Sequence, residues 1–280
     1  MIKTKNISIS FYQVFKYCIY VLLSYNVFLF LNEDLISAKT MFSGDISIKD
    51  VIVGFSGSID TAAWVILLLI FELETYIIDD EKLKGGLKFS LKVISGLCYA
   101  FIFYSFYGYL KKYFWFSNFQ TLSDTVLLCQ HVGKSWLLAL DEFTSITAEN
   151  CSVLTSSSQL YIFSDNTILS DLESINIAKR VALIDIFNSL AWLIIVIVLE
   201  IEVWLQLKNK LVGRAKHINT FFKIIAYSIL IIAAISWGIS GEYLDTWDAL
   251  LWILAFAFIE MNMFKWQKEI EEETEKKETY

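Results

Sequence analysis

Five glutamates lie inside or at the edge of strongly apolar runs of this chain: Glu72, Glu74, Glu200, Glu202 and Glu260. Three lysines, Lys16, Lys92 and Lys223, occupy comparable positions in other apolar runs. An ion in hydrocarbon costs about 2.5–3.5 kcal/mol even on the most lenient insertion scale, so these groups are expected to find partners rather than face lipid. Three ammonium groups neutralise three carboxylates. The remaining two must be protonated, hydrated or matched by a bound cation, and this surplus is the most chemistry-like feature in the sequence.

The acids recur with a fixed spacing. Asp60, Trp64, Glu72, Glu74 and Tyr76 match Asn188, Trp192, Glu200, Glu202 and Trp204, and again Asp248, Trp252, Glu260, Asn262 and Phe264. The pattern is [DN]-x3-W-x7-E-x-[EN]-x-aromatic. A weaker echo places Lys16, Lys92 and Lys223 each after an apolar residue near the start of the preceding run, and Gly85 and Gly213 each follow the first glutamate of their copies by thirteen residues. An internal repeat of three two-helix units, 11–78, 89–206 and 220–265, accounts for this; searching for such periodicity takes precedence over local structure. Repeated construction is common among transporters, an analogy of architecture only.

At about 100° per residue on a helix, Trp64 lies about 40° from Asp60, Glu72 about 120° and Glu74 about 320°. The two acids of each pair therefore face different neighbours. Asp60, Asp248 and Asn188, with Asp185 beside it, are expected to form an outer acidic vestibule. Glu72, Glu74, Glu200, Glu202, Glu260 and Asn262, with Lys16, Lys92 and Lys223, form the inner set of cation-binding or ion-pair candidates.

Helices must carry these groups. The 280 residues are 56% hydrophobic, with 22 Phe, 14 Tyr, 9 Trp and no proline, and the mean hydropathy is +0.54. A soluble domain of this size needs more polar surface. Apolar runs at 11–31, 59–78, 89–110, 182–206, 220–240 and 247–265 each approach the roughly 20 residues that cross a bilayer. They are too long and continuous for strands of a transmembrane barrel. The expected fold is an all-α membrane protein of six transmembrane helices arranged as three helical hairpins. The first run, after Met-Ile-Lys-Thr-Lys, is followed by no small-x-small cleavage site and reads as an uncleaved span.

Sidedness follows from the basic residues, 16 of the 23 lying in the N-terminus, the 79–92 and 207–223 connections and the tail; these face the cytoplasm, as do both termini. The chain then divides into helices 1–3 (1–110), an extracytoplasmic cap (111–181) inserted between helices 3 and 4, helices 4–6 (182–265) and a charged tail (266–280). The cap contains the apolar stretch TVLLCQHVGKSWLLAL and the Ser-rich SVLTSSSQLYIFSDNTIL, which suggests a short hairpin. It is small for an independent core. Cys129 and Cys151 lie in it and pair as a disulfide if the compartment is oxidising; two separate thiols are the alternative.

Known catalytic motifs are missing. There is no HExxH, GxSxG, GxGxxG or P-loop, and GFSGS at 54–58 has no histidine within any span to activate its serines. His131 and His217 are the only histidines, which disfavours haem or a metal centre. No enzyme activity, cofactor or metal is expected, and no nucleic-acid partner. The leading reading is binding or permeation of a monovalent cation or proton. The alternative is a scaffold or sensor subunit whose cap binds a partner, with small residues serving contacts to a second copy or another membrane protein.

Overall fold

A computed structural model describes residues 11–41, 51, 54–78, 82, 84–122, 127–140, 142–155, 159–163, 167–208, 211 and 213–278. Six helices dominate: α1 (Phe11–Met41), α2 (Ser56–Glu72), α3 (Gly85–Phe116), α4 (Leu172–Leu207), α5 (Arg214–Ser240) and α6 (Tyr243–Glu278). Without proline, none loses an amide donor in its interior.

Among the described residues, four helical segments are long and apolar enough to cross a membrane: Gln13–Ala38, Gly85–Phe116, Leu172–Gln206 and Arg214–Ser240. Six were expected, and the two others differ for identifiable reasons. α2 stops after 17 residues and continues as a π-turn, Leu73–Ile77, where Ile78 donates its amide to the Leu73 carbonyl. The segment at 243–260 in α6 contains Asp245, Asp248 and Glu260, three acids in an otherwise apolar run. On α5, Phe221, Ile224, Ile232, Ile235 and Ile239 are all exposed, an apolar surface that monomeric soluble proteins rarely display.

The chain forms two compact units, one of residues 27–190 and one of 1–26 with 191–280, so the boundary falls within α1 and α4. In the first unit, α2 and α3 pack along each other, and the cap joins α3 to α4. The sequence GFSGS lies at the start of a helix. It opens α2, where Asp34 of α1 accepts the Ser58 amide at 2.9 Å, a carboxylate satisfying a helix N-terminal donor. In the second unit α5 and α6 pack closely. Gly241, with φ of 95°, ends α5 in the left-handed conformation. Gly241 and Glu242 both donate to the Trp237 carbonyl, so α6 starts two residues later.

The cap is a five-stranded sheet in the order β1-β4-β5-β2-β3, with β1 (Phe119–Thr121), β2 (Ser135–Ala139), β3 (Glu142–Ser145), β4 (Tyr161–Phe163) and β5 (Ile168–Ser170). β4 and β5 form the antiparallel hairpin, while β2 and β5 run parallel, Trp136 opposite Leu169. Alternation along the strands gives the sheet two buried faces. Leu137, Phe163 and Ile168 pack with Phe116, Ile175, Ala178 and Ala182 at the ends of α3 and α4, and Trp115 stacks on Phe163 at 4.5 Å between ring centroids. Trp136, Leu169 and Leu160 pack on the opposite side with Leu128, Ile146 and Cys151. That second layer is stapled by a Cys129–Cys151 disulfide, its Cα atoms 5.0 Å apart. Asp171 caps α4 by accepting the Ser174 amide at 2.9 Å and also accepts Thr155 Oγ1 at 3.0 Å.

Candidate cation site

In the unit containing residues 191–280, α4 contributes Glu202, α5 contributes Asn219, Lys223 and Tyr227, and α6 contributes Glu260. Asn219, Lys223 and Tyr227 follow each other at four-residue steps, which on a helix places them on one stripe. Lys223 Nζ lies 2.6 Å from Glu202 Oε2 and 2.8 Å from Glu260 Oε2, and all three side chains are largely buried, at 12%, 9% and 16% exposure. Asn219 Nδ2 donates to Glu202 Oε2 at 2.9 Å. Tyr227 donates its hydroxyl to Glu260 Oε1 at 3.3 Å. One ammonium is thus shared by two carboxylates.

Deeper along α6 from this cluster, the side chains are aromatic. Trp192 of α4 packs against Phe256 at 4.6 Å and against Trp252 at 6.3 Å between centroids, and Trp252 lies 6.3 Å from Phe256. Beyond them is Asp248, whose Oδ1 accepts Asn26 Nδ2 of α1 at 2.7 Å and whose carboxylate also accepts the Trp252 indole. Asp248, Trp252, Phe256 and Glu260 step along α6 every four residues, which explains the D-x3-W-x7-E spacing. The aspartate binds the tryptophan one turn away, and the glutamate lies about 18 Å from the aspartate along the helix.

The other positions of the spaced sequence pattern do not share one environment. Glu72 is buried, Glu74 lies in the π-turn and is half-buried, Glu200 is exposed and Glu202 is buried. Glu200 and Glu202 point about 200° apart on their helix, and Lys223 meets only the second. Trp64, Trp192 and Trp252 are all buried. Lys16 is buried with its ammonium 4.9 Å from the Tyr17 ring centroid. Lys92 departs from the expectation that it is shielded by a carboxylate: it is exposed on α3 and makes no ion pair among the described residues. The Asn262 side chain lies outside the described residues.

Among the residues expected at the outer end, Asp60 accepts the Tyr109 hydroxyl at 3.4 Å through Oδ2, and Asp185 faces Lys112 at 3.9 Å. Both contacts belong to the unit of residues 27–190, as does Asn188, whereas Asp248 belongs to the other unit. Sequence reasoning missed Asn219, Tyr227, Asn26, Tyr109 and Phe256. A signal existed for two of them, because Asn219, Lys223 and Tyr227 form a polar stripe at helical spacing in an apolar run. Asn26 and Tyr109 reach their acids across 222 and 49 residues of chain, a relation no local pattern contains. No family model, curated protein or solved structure matches this chain.

Proposed function

We propose that this is a multi-pass membrane protein that binds a cation, the proton in the first instance, at the cluster of Glu202, Lys223 and Glu260. The observation that carries the reading is the single Lys223 ammonium held within 2.8 Å of two carboxylates. Two carboxylates gathered on one ammonium in an apolar surrounding favour uptake of a proton or a small cation. Glu202 Oε2 receives both Lys223 and Asn219, whereas Glu260 shares Lys223 and receives only the longer Tyr227 contact. Glu260 therefore has the weaker set of donors of the two carboxylates, and the proposed binding is tested there. Passage across the membrane requires Trp192, Trp252 and Phe256 to separate, so binding is favoured over an open conduit.

The six-span arrangement with both termini in the cytoplasm belongs to this proposal, as does an oxidising compartment for the disulfide-bonded cap. A second reading, a scaffold or sensor subunit, draws support from the same aromatic layer, since packed tryptophans also suit a rigid clamp of α4 and α6. Infrared difference spectra of the full chain in nanodiscs, recorded between pH 5 and pH 9, separate the two. Loss of a protonated carboxyl band in Glu260→Gln but not in Glu200→Gln supports proton binding. Identical spectra from both variants and the unaltered chain would leave only the clamp, and proton flux into liposomes then has no basis.

A further inference from the structure

Lys88 and Lys92 stand one turn apart on α3, about 40° from each other in direction, and Lys84 precedes them at the same four-residue step. All three are exposed. None of their ammonium groups makes an ion pair or a hydrogen bond among the described residues. An ammonium in hydrocarbon is costly, and α3 is long and apolar enough to cross a membrane. The charges of Lys88 and Lys92 must therefore be met from outside the chain.

The charge pattern of α3 sets their depth. Between Lys92 and Lys111 the sequence VISGLCYAFIFYSFYGYL contains no charged side chain. At 1.5 Å per residue these two lysines are about 28 Å apart along the helix, close to the ~30 Å of hydrocarbon in a bilayer. Lys92 thus lies at one boundary of the hydrocarbon. Lys88 lies about 6 Å farther out, within the headgroup layer. The long stems of both side chains hold their ammonium groups at that level.

The surface beside them is apolar and stepped. Phe89, Val93, Leu97 and Phe101 form a second row at four-residue intervals, exposed at 70%, 44%, 55% and 52%. Gly96 and Ala100 continue the lysine row toward the bilayer centre and are exposed, with open space where a Cβ of Gly96 would stand. The aromatic and branched row therefore stands above its neighbour, leaving a shallow lengthwise trough that begins at the lysines. A phospholipid with a net negative headgroup matches both parts, since it brings phosphate oxygens to the ammonium groups and a hydrocarbon chain to the apolar row. We propose that the Lys88 and Lys92 face of α3 binds an anionic phospholipid, its headgroup phosphate on the two ammonium groups and an acyl chain along Phe89, Val93 and Leu97. This rests on the reading of the chain as a multi-pass membrane protein and is independent of proton binding at Glu202, Lys223 and Glu260.

The test is electron spin resonance of the full chain in phosphatidylcholine bilayers doped with spin-labelled phosphatidylglycerol or spin-labelled phosphatidylcholine. The motionally restricted fraction is expected to favour phosphatidylglycerol by about fivefold, which corresponds to about 1 kcal/mol. The K88Q/K92Q double variant should bring that ratio close to one. K208Q/K216Q, which removes the same charge elsewhere, and E260Q should keep it. Equal restriction of the two lipids by the unaltered chain overturns the proposal. So does a fall in K208Q/K216Q as large as in K88Q/K92Q, because the preference then follows net charge and not this face. Restriction of neither lipid overturns the membrane reading and this inference together. A Leu97→Cys variant without Cys18 and Cys98 that crosslinks into dimers in the bilayer shows a second copy on the face and refutes lipid binding there. If K88Q/K92Q does not fold, K92Q alone carries the same comparison.

Discussion

Asn26 donates its side-chain amide to Asp248 Oδ1 at 2.7 Å, joining the first helix to the last across 222 residues of sequence. Asn26 is 1% exposed, so the bond sits away from water, and hydrogen bonds to charged groups are worth about 1.5–3 kcal/mol. The Asn26→Leu variant is expected to lose stability of about that size, measured by thermal unfolding in nanodiscs. The Asn26→Asp variant should lose more, because two carboxylates then face each other. Equal midpoints for all three proteins would show that this contact does not hold α1 to α6.

Removing Lys223 leaves Glu202 and Glu260 side by side without their shared cation. A buried pair broken on one side costs about 3–5 kcal/mol, so Lys223→Met is expected to fold poorly. Combining it with Glu260→Gln and Glu202→Gln removes the orphaned charges and should recover most of the folded yield. Size-exclusion profiles of the single and triple variants measure this directly. A triple variant as unstable as the single one would mean that Lys223 matters through packing of its methylene stem.

The Cys129–Cys151 bridge closes a loop with a sequence separation of 22 residues, worth about 3 kcal/mol in the chain-entropy account. Strands of three to five residues make a weak sheet without such a staple. Replacing both cysteines by serine should open the cap to limited proteolysis between Leu127 and Leu154 while the helical circular dichroism is unchanged. Protection equal to that of the unaltered chain contradicts this.

His131 of the cap is held below its ordinary value of 6.5, first by burial and second by the positive charge of Lys134. Its Nε2 has no hydrogen-bond partner among the described residues. A group whose affinity for the proton is lowered by folding is protonated first in the unfolded chain. Its contribution to stability is thus complete above about pH 6.5 and is lost as the pH falls toward the folded value. Proteolytic protection of the cap should decline from pH 7 to pH 5, and His131→Gln should flatten that decline. A steeper decline in the variant reverses the sign and excludes the assignment.

If α6 crosses the bilayer despite its three acids, Glu242 and the C-terminal tail lie on opposite sides. A cysteine introduced at Glu242, in a background without Cys18 and Cys98, should react with an impermeant maleimide from the side where a tag on the tail is not accessible. Labelling of both from one side limits the crossing segments to fewer than six.

The helices were legible from the sequence because hydrophobicity over some twenty residues is a local property. So was the presence of a small sheet, where Ser-rich and alternating segments interrupt the apolar runs, and so was the spacing that places Trp252 one turn from Asp248. Local periodicity also indicated that paired acids two residues apart face different ways. What it leaves open is which acid of a pair meets a base. Glu200 and Glu202 are equivalent as sequence, yet one is exposed and the other accepts Lys223, and Lys92, equivalent in pattern to Lys223, faces outward. That choice depends on the rotation of one helix against its neighbour, set by contacts such as Trp192 on Phe256 and the two-residue link at Gly241. Such rotations arise from packing between segments far apart in the chain, so the partners of each buried charge were decided only by the tertiary structure.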